Sequence, residues 1–171
     1  VTYTDPKRNL NDENVTTKYT YDTLNQLVQV KDALGQLTNY QYDGNGQMTH
    51  ITVQANASAA PQTLKTKTFN EAGLISTKRD AAQYEETYAY NNLGQLLQRI
   101  DRNGTVFTHQ YDTQGRNTIA TATGGGITEQ SRLNVGSNGI LYDTQEFYKN
   151  GSKMTSLTIG IDYLKRITSL Q

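Results

Sequence analysis

The side chains in this chain that could do chemistry are few and scattered. Two histidines, His50 and His109, stand in a sequence without cysteine, so neither a zinc set nor a nucleophile–base pair can be assembled. The paired carboxylates Glu85-Glu86 fall on a segment of strand character, where neighbours point to opposite faces and cannot attend one substrate. Aspartates recur near glycines, as in Asp43-Gly44-Asn45-Gly46, which raises the question of calcium. A calcium loop needs several converging oxygens, whereas each segment here supplies one Asp or Asn, so turn capping is the better reading. Tyrosine is the one abundant functional group, with 12 residues. Its ring can pack on a neighbouring ring, or its exposed face and hydroxyl can hold a sugar. No catalytic residue, metal or cofactor is expected.

The elements that position these groups repeat. Tyr21-Asp22-Thr23-Leu24-Asn25-Gln26-Leu27 is echoed by Tyr42-Asp43-Gly44-Asn45-Gly46-Gln47-Met48. Three further copies begin at Phe69, Tyr90 and Tyr111, so the leading aromatics are spaced 21, 27, 21 and 21 residues apart. A fixed period means one supersecondary unit stacked on its neighbours. In each copy an Asp or Asn follows the aromatic, and three residues later comes Gly46, Gly73, Gly94 or Gly115, with Asn25 in the first copy. That is turn chemistry: the Asx side chain caps the local backbone and Gly or Asn accepts a positive φ. Before the turn, Tyr19, Tyr40, Tyr88 and His109 lie two residues ahead of Tyr21, Tyr42, Tyr90 and Tyr111, which puts two rings on one strand face. His109 is a ring in a ring column and reads as a packing substitution. After the turn an apolar residue returns at Leu27, Met48, Ile75 and Leu96, and Asn117 breaks that column.

A second turn recurs at Asp32, Asp80 and Asp101, each 11 residues after its leading aromatic, with Gly35 and Gly104 three residues further on. One unit is therefore two short strands and two turns, and the chain should zigzag as a continuous antiparallel ribbon. The stretch 54–62, Ala-rich and without periodicity, accounts for the longer spacing and reads as an exposed loop insertion. After Gly124-Gly125-Gly126 the register blurs. Tyr142-Asp143, Phe147–Gly151 and Ile161–Ile167 read as degenerate copies. The expected organisation is a single array over 1–171, regular over about 17–123 and degenerate over about 124–171.

Bulk composition excludes several classes. The 171 residues carry 16 basic and 16 acidic side chains, and no basic stripe suits phosphates, so nucleic acid is not an expected partner. No apolar run is long enough for a membrane-spanning helix. A mean hydropathy of −0.72 suits thin layers with half of each strand in water. The chain starts with Val and reads as an excised piece of a longer protein.

The pattern Tyr-x-Tyr-Asp-x-x-Gly-(Arg/Gln)-Leu followed by Asp-x-x-Gly resembles the YD repeat of the Rhs family. Tyr40-Gln41-Tyr42-Asp43-Gly44-Asn45-Gly46-Gln47-Met48 and Tyr111-Asp112-Thr113-Gln114-Gly115-Arg116 are among its best copies. The resemblance implies a ribbon wound into a spiral shell, as in large bacterial secreted or wall-associated proteins, toxin-complex subunits and the distantly related teneurins. It also implies an extracellular or cell-surface location, partner repeats in the parent protein and an enclosed toxin domain. The family's self-cleavage motif, Asp-Pro-x-Gly-Leu, is not matched: the one Asp-Pro, Asp5-Pro6, runs on into Lys7-Arg8.

The expectation is thus an all-β, non-catalytic scaffold, a slice of a curved solenoid or shell. Its turn set is Asp22, Asp43, Gly46, Gly73, Gly94, Asp112 and Gly115. Its ring set is Tyr19, Tyr21, Tyr40, Tyr42, Tyr88, Tyr90 and Tyr111. The alternatives are a module that holds cell-wall glycan on those rings, and one that self-associates through open strand edges. If the turn set is right, Gly94→Val lowers the melting temperature well beyond a change at an exposed Thr, by the equivalent of about 1–2 kcal/mol. Equal melting temperatures would remove Gly94 from the turn.

Overall fold

The computed structural model of the chain describes residues 2–4, 16–135, 142–161 and 167–170. It is all β, and the chain divides into two compact units, Val1–Glu85 and Glu86–Gln171. The first unit contains β1 (Thr2–Thr4), β2 (Thr16–Tyr21), β3 (Leu27–Lys31), β4 (Leu37–Tyr42), β5 (Met48–Gln54), β6 (Gln62–Phe69) and β7 (Ile75–Asp80). The second contains β8 (Glu85–Tyr90, whose first residue closes the first unit), β9 (Leu96–Ile100), β10 (Val106–Tyr111), β11 (Asn117–Gly124) and β12 (Ile127–Val135). It continues with β13 (Tyr142–Lys149), β14 (Ser152–Ile161) and β15 (Ile167–Leu170). Within each unit every strand pairs antiparallel with the next in the chain. Short strands rich in Thr, Tyr, Val and Ile, joined by minimal turns, pair this way because each hairpin closes at little entropic cost.

The turns after the leading aromatics and the turns at Asp32, Asp80 and Asp101 have one geometry. The Asx amide donates to the carbonyl four residues on, and the residue three on donates back to the Asx carbonyl, as in Asp43 N to Gln47 O (2.9 Å) and Gly46 N to Asp43 O (3.0 Å). These are three-residue hairpin loops whose last residue is left-handed. Gly35, Gly46, Gly73, Gly94, Gly104 and Gly115 hold that position with φ between 76° and 84°. Asn25 (φ 63°) and Gln83 (φ 66°) hold it without being glycine.

The two kinds of turn lead into different strand pairings. In each aromatic-led hairpin the register slips by one residue just past the turn, leaving Val28, Thr49, Ser76, Leu97 and Thr118 without a direct partner in the ladder. Such bulges raise the local strand twist. Thr49 and Thr118 donate their hydroxyls to the carbonyls of Gln41 (3.2 Å) and Gln110 (3.3 Å) at the slip. The turns at Asp32 and Asp101 open straight into regular ladders.

Between β5 and β6 the loop spans 55–61, and it is organised. Asn56 accepts from Ser58 N (2.9 Å), and Gln54 Nε2 donates to Ala59 O (2.9 Å). Gln54 in turn accepts from Asn39, which accepts from Gln29, so a chain of side-chain amides across three strands ends on this loop. Beyond β11 the antiparallel order continues while the turn chemistry changes. Gly125-Gly126 and Asn150-Gly151, all with positive φ, make two-residue turns. Tyr142-Asp143 opens strand β13 rather than a turn. Residues 162–166 of the Ile161–Ile167 copy lie outside the described residues.

Little is buried. Leu37, 7 % exposed, is the one apolar side chain buried outright among the described residues, and no polar one is. The apolar strand residues, such as Leu27, Val30, Ile51, Ile75 and Leu96, are half-buried along the layer rather than gathered in a closed core. Gln83 offers a check. A non-glycine residue in the left-handed region costs about 1–2 kcal/mol, and glycine there loses about 0.4–1 kcal/mol through unfolded-state freedom. Gln83→Gly should therefore stabilise by about 0.5–1 kcal/mol in chemical denaturation; a loss of stability would contradict the strained assignment.

Candidate functional site

The candidate site is the pair of features the sequence singles out: the Asx turns and the ring columns. At every such turn the Asx Oδ1 accepts two backbone amides, from the residues two and four positions on. Asp22 holds Leu24 N (2.9 Å) and Gln26 N (2.8 Å), and Asp43 holds Asn45 N and Gln47 N (2.9 Å each). Asp112 holds Gln114 N and Arg116 N (2.9 Å each). Asn70 and Asn91 do the same through their amide oxygens, as do Asp32, Asp80 and Asp101 at the other turns. One lone-pair-rich oxygen thus satisfies two donors that the loop would leave to solvent.

In two repeats the glutamine after the turn glycine couples one repeat to the next, while Leu74 after Gly73 has no group to do so. Gln47 Nε2 donates to Gly73 O (2.7 Å), and Gln95 Nε2 donates to Gly115 O (2.9 Å). The side chain lies so close that a Cβ on the glycine would meet it, at 3.4 Å from Gln47 Nε2 for Gly73 and 3.1 Å from Gln95 Nε2 for Gly115. At Gly46 the Gln26 Nε2 stands 2.9 Å from where a Cβ would be. The positive φ is what favours glycine there, and a Cβ at Gly46 or Gly115 would also oblige the glutamine tip to shift. Arg116 ends the series: it folds back on Asp112 (Nε to Oδ2, 2.6 Å) in place of a glutamine reaching onward.

A second coupling runs the other way. Tyr42 Oη donates to Leu27 O (2.9 Å), and Tyr111 Oη donates to Leu96 O (2.8 Å), each reaching back 15 residues to the apolar position of the preceding repeat. Tyr88 Oη is engaged by Glu86 (2.5 Å). Tyr19, Tyr40, Tyr42, Tyr88, Tyr90 and Tyr111 are half-buried, and Tyr21 is 42 % exposed. The Tyr42 and Tyr111 hydroxyls of the ring columns thus bond to backbone carbonyls of a neighbouring repeat, as the glutamines do. The glutamine and tyrosine couplings do not emerge from reading the sequence. The recurring Gln after the turn residue, at Gln26, Gln47 and Gln95, is the signal that points to them.

His109 stands in its ring column with Nδ1 2.7 Å from Asn117 Nδ2, so the residue that breaks the apolar column is the histidine's polar partner. His50 is exposed beside Thr49 Oγ1 (3.0 Å). Arg99 lies over the Phe107 ring at 4.0 Å, and Arg132 over Tyr148 at 4.6 Å. Glu85 sits with Arg79 (2.6 Å), while Glu86 engages its tyrosine. Among the described residues no three His, Asp or Glu side chains gather where a metal ion could sit. The His109 contact holds a ring in its column, and the His50 contact lies at the bulge where Thr49 donates to Gln41 O.

Among the described residues, Asp112, Glu146 and Lys153 titrate away from their ordinary values. The Arg116 amide, and secondarily its guanidinium and the Gln114 amide, hold the Asp112 carboxyl below the usual aspartate value. Hydrogen bonds from Lys153 and then Tyr148 lower Glu146, and the same Glu146 contact raises Lys153. A lowered carboxyl stabilises the fold at pH above its unfolded value, about 3.9 for Asp, and that contribution disappears as pH falls through the lower folded value. Asp112→Asn keeps the double acceptor, as Asn70 and Asn91 show, and removes the charge. Its melting temperature should therefore fall less steeply than the parent's below about pH 4. Parallel curves would mean that Asp112 is not held this way.

Comparison with known proteins places this geometry. The Teneurin YD-shell family model matches residues 2–156. Among solved structures, the "Crystal Structure of TcdB2-TccC3 without hypervariable C-terminal region" aligns with 92% of this chain and 10% of its own, at 13% identity and a TM-score of 0.53. The "Crystal Structure of TcdB2-TccC3-Cdc42" aligns with 91% of the chain and 10% of its own, at 14% identity and a TM-score of 0.49. The chain thus spans about a tenth of the length of those proteins. No curated protein matches it by sequence.

Proposed function

Since this chain belongs to the teneurin YD-shell family, we propose that it is a non-catalytic segment of a shell wall that encloses and delivers another domain of a secreted protein. The observation that carries this reading is the coupling of successive repeats through Gln47 to Gly73, Gln95 to Gly115, Tyr42 to Leu27 and Tyr111 to Leu96. The recurring Asx oxygens are spent on closing their own turns, and Gln47, Gln95, Tyr42 and Tyr111 on joining one repeat to the next. A wall needs that and little else. The first of the similar structures is described as lacking a hypervariable C-terminal region, which supports an enclosed variable domain as this segment's partner.

The shell reading carries with it a single repeat array over 1–171, an extracellular bacterial setting and the turn and ring sets as structural residues. Glycan binding on the tyrosines has less to draw on, because the hydroxyls of Tyr42, Tyr88 and Tyr111 are already spent on protein oxygens. Self-association through open strand edges stays a property of an isolated slice. Electron cryomicroscopy of the parent protein tests the proposal: residues 17–123 should lie in the wall of a closed shell with density inside. A parent in which this segment hangs free of any enclosure would refute it.

A further inference from the structure

The second unit carries a feature that wall-building does not use. On one face of the sheet lies an open trough of about 370 Å³. Ala120 and Ala122 of β11 and Ser131 of β12 form its floor, and Phe107 and His109 on β10 and Phe147 and Met154 on β13 and β14 form its sides. Ladder pairing sets this out strand by strand: Phe107 faces Ala122, and His109 faces Ala120, which faces Ser131, which faces Phe147. The position taken by Ala120 holds Val30, Ile51, Lys78 and Arg99 in the other repeats, so the trough exists because this repeat has the smallest side chain there. Beside the hole stand knobs: Met154 is 65 % exposed and Phe147 37 %.

We infer that this face binds a second copy of the chain, related by a two-fold axis parallel to the strands and midway between β12 and β13. Such an axis places β13 of one copy over β12 of the other and β14 over β11. Met154 directly precedes Thr155, which pairs with Phe147, so it stands between the heights of Ala120 and Ala122. The rotation keeps that height and sets Met154 of each copy over the alanine floor of the other. Glu129 and Lys149, directly opposed in the ladder and both lining the trough, are carried by the same axis over each other's counterparts. Each glutamate then faces a lysine of the second copy. Shape and charge complement themselves under one operation, which is the requirement for a closed, isologous dimer. Packing two sheets face to face also covers apolar side chains that a single layer leaves in water.

Sedimentation equilibrium of the chain across a concentration series tests this, with Met154→Glu and, as a control, Leu93→Glu at a turn tip 82 % exposed and outside the trough. Both positions are exposed enough for the variants to fold, which melting curves verify. The expected result is a dimer whose dissociation constant rises about tenfold or more with Met154→Glu and is unchanged by Leu93→Glu. A chain that stays monomeric up to about 100 μM would overturn the inference. So would an oligomer indifferent to Met154→Glu, which would assign association to the strand edges. Neither result bears on the shell reading, which concerns the parent protein.

Discussion

One hydrogen-bonding arrangement underlies the structure: an Asx oxygen that accepts two backbone amides across a three-residue hairpin loop. Reversing a strand in so few residues exposes donors that the ladder cannot use, and a polar side chain at the first loop position meets them. The same arrangement fixes the left-handed residue near the loop's end, which is why glycine recurs three positions after each Asx and why Asn25 and Gln83 are the exceptions. It also decides where the next side chain starts. Gln47 and Gln95 leave the turn at the point from which they reach the glycine carbonyl of the following repeat. The glutamine couplings run forward from the turn, and the tyrosine couplings run back from the strand before it. The turn is local, and the order it imposes is not.

This explains how a layer with a single buried apolar side chain among its described residues can hold a definite register. In a sheet with a thick core, a slip by one residue moves apolar side chains into water, and that penalty fixes the pairing. Here the faces are half-exposed and the penalty is smaller. Register is instead pinned by the Asx turns of one geometry, with a bulge just past each aromatic-led turn, and between β5 and β6 by the organised 55–61 loop. The arrangement suits a protein whose repeats must stack on repeats on either side: the repeat led by Tyr42 bonds forward through Gln47 and backward through Tyr42, whereas the repeat led by Phe69, with Leu74 after its turn glycine, has neither group. Arg116, turned back onto Asp112, marks where that chemistry stops and long hairpins with two-residue turns take over.

Much of this is legible in the sequence because it is local and periodic. The spacing of Tyr, Asx and Gly specifies strands, turns and antiparallel order directly, and the all-β architecture agrees with it. The rest was hidden, beginning with the glutamine and tyrosine couplings. The bulges at Thr49 and Thr118 leave no compositional mark, since any residue can be skipped. The stretch 54–62 reads as a featureless insertion, yet it is tied down by an amide chain from Gln29 through Asn39 and Gln54, residues distant in sequence. Tyr142-Asp143 imitates the motif but lies in a strand, because no left-handed residue comes three positions later to close the loop. Asn117, likewise, looks like a defect in its column until His109 is seen beside it.

The central claim is that the Asx side chains hold the turns as firmly as the ladder holds the strands. Native-state hydrogen exchange measures this residue by residue, since protection reports the free energy of opening. The amides of Gln47, Gln95 and Arg116, which bond to side-chain oxygens at solvent-facing turns, should exchange as slowly as the strand amides beside them. Exchange of those three at the rate of unprotected loop amides, beside protected strands, would show that the turns are passengers of the ladder and that something else sets its register.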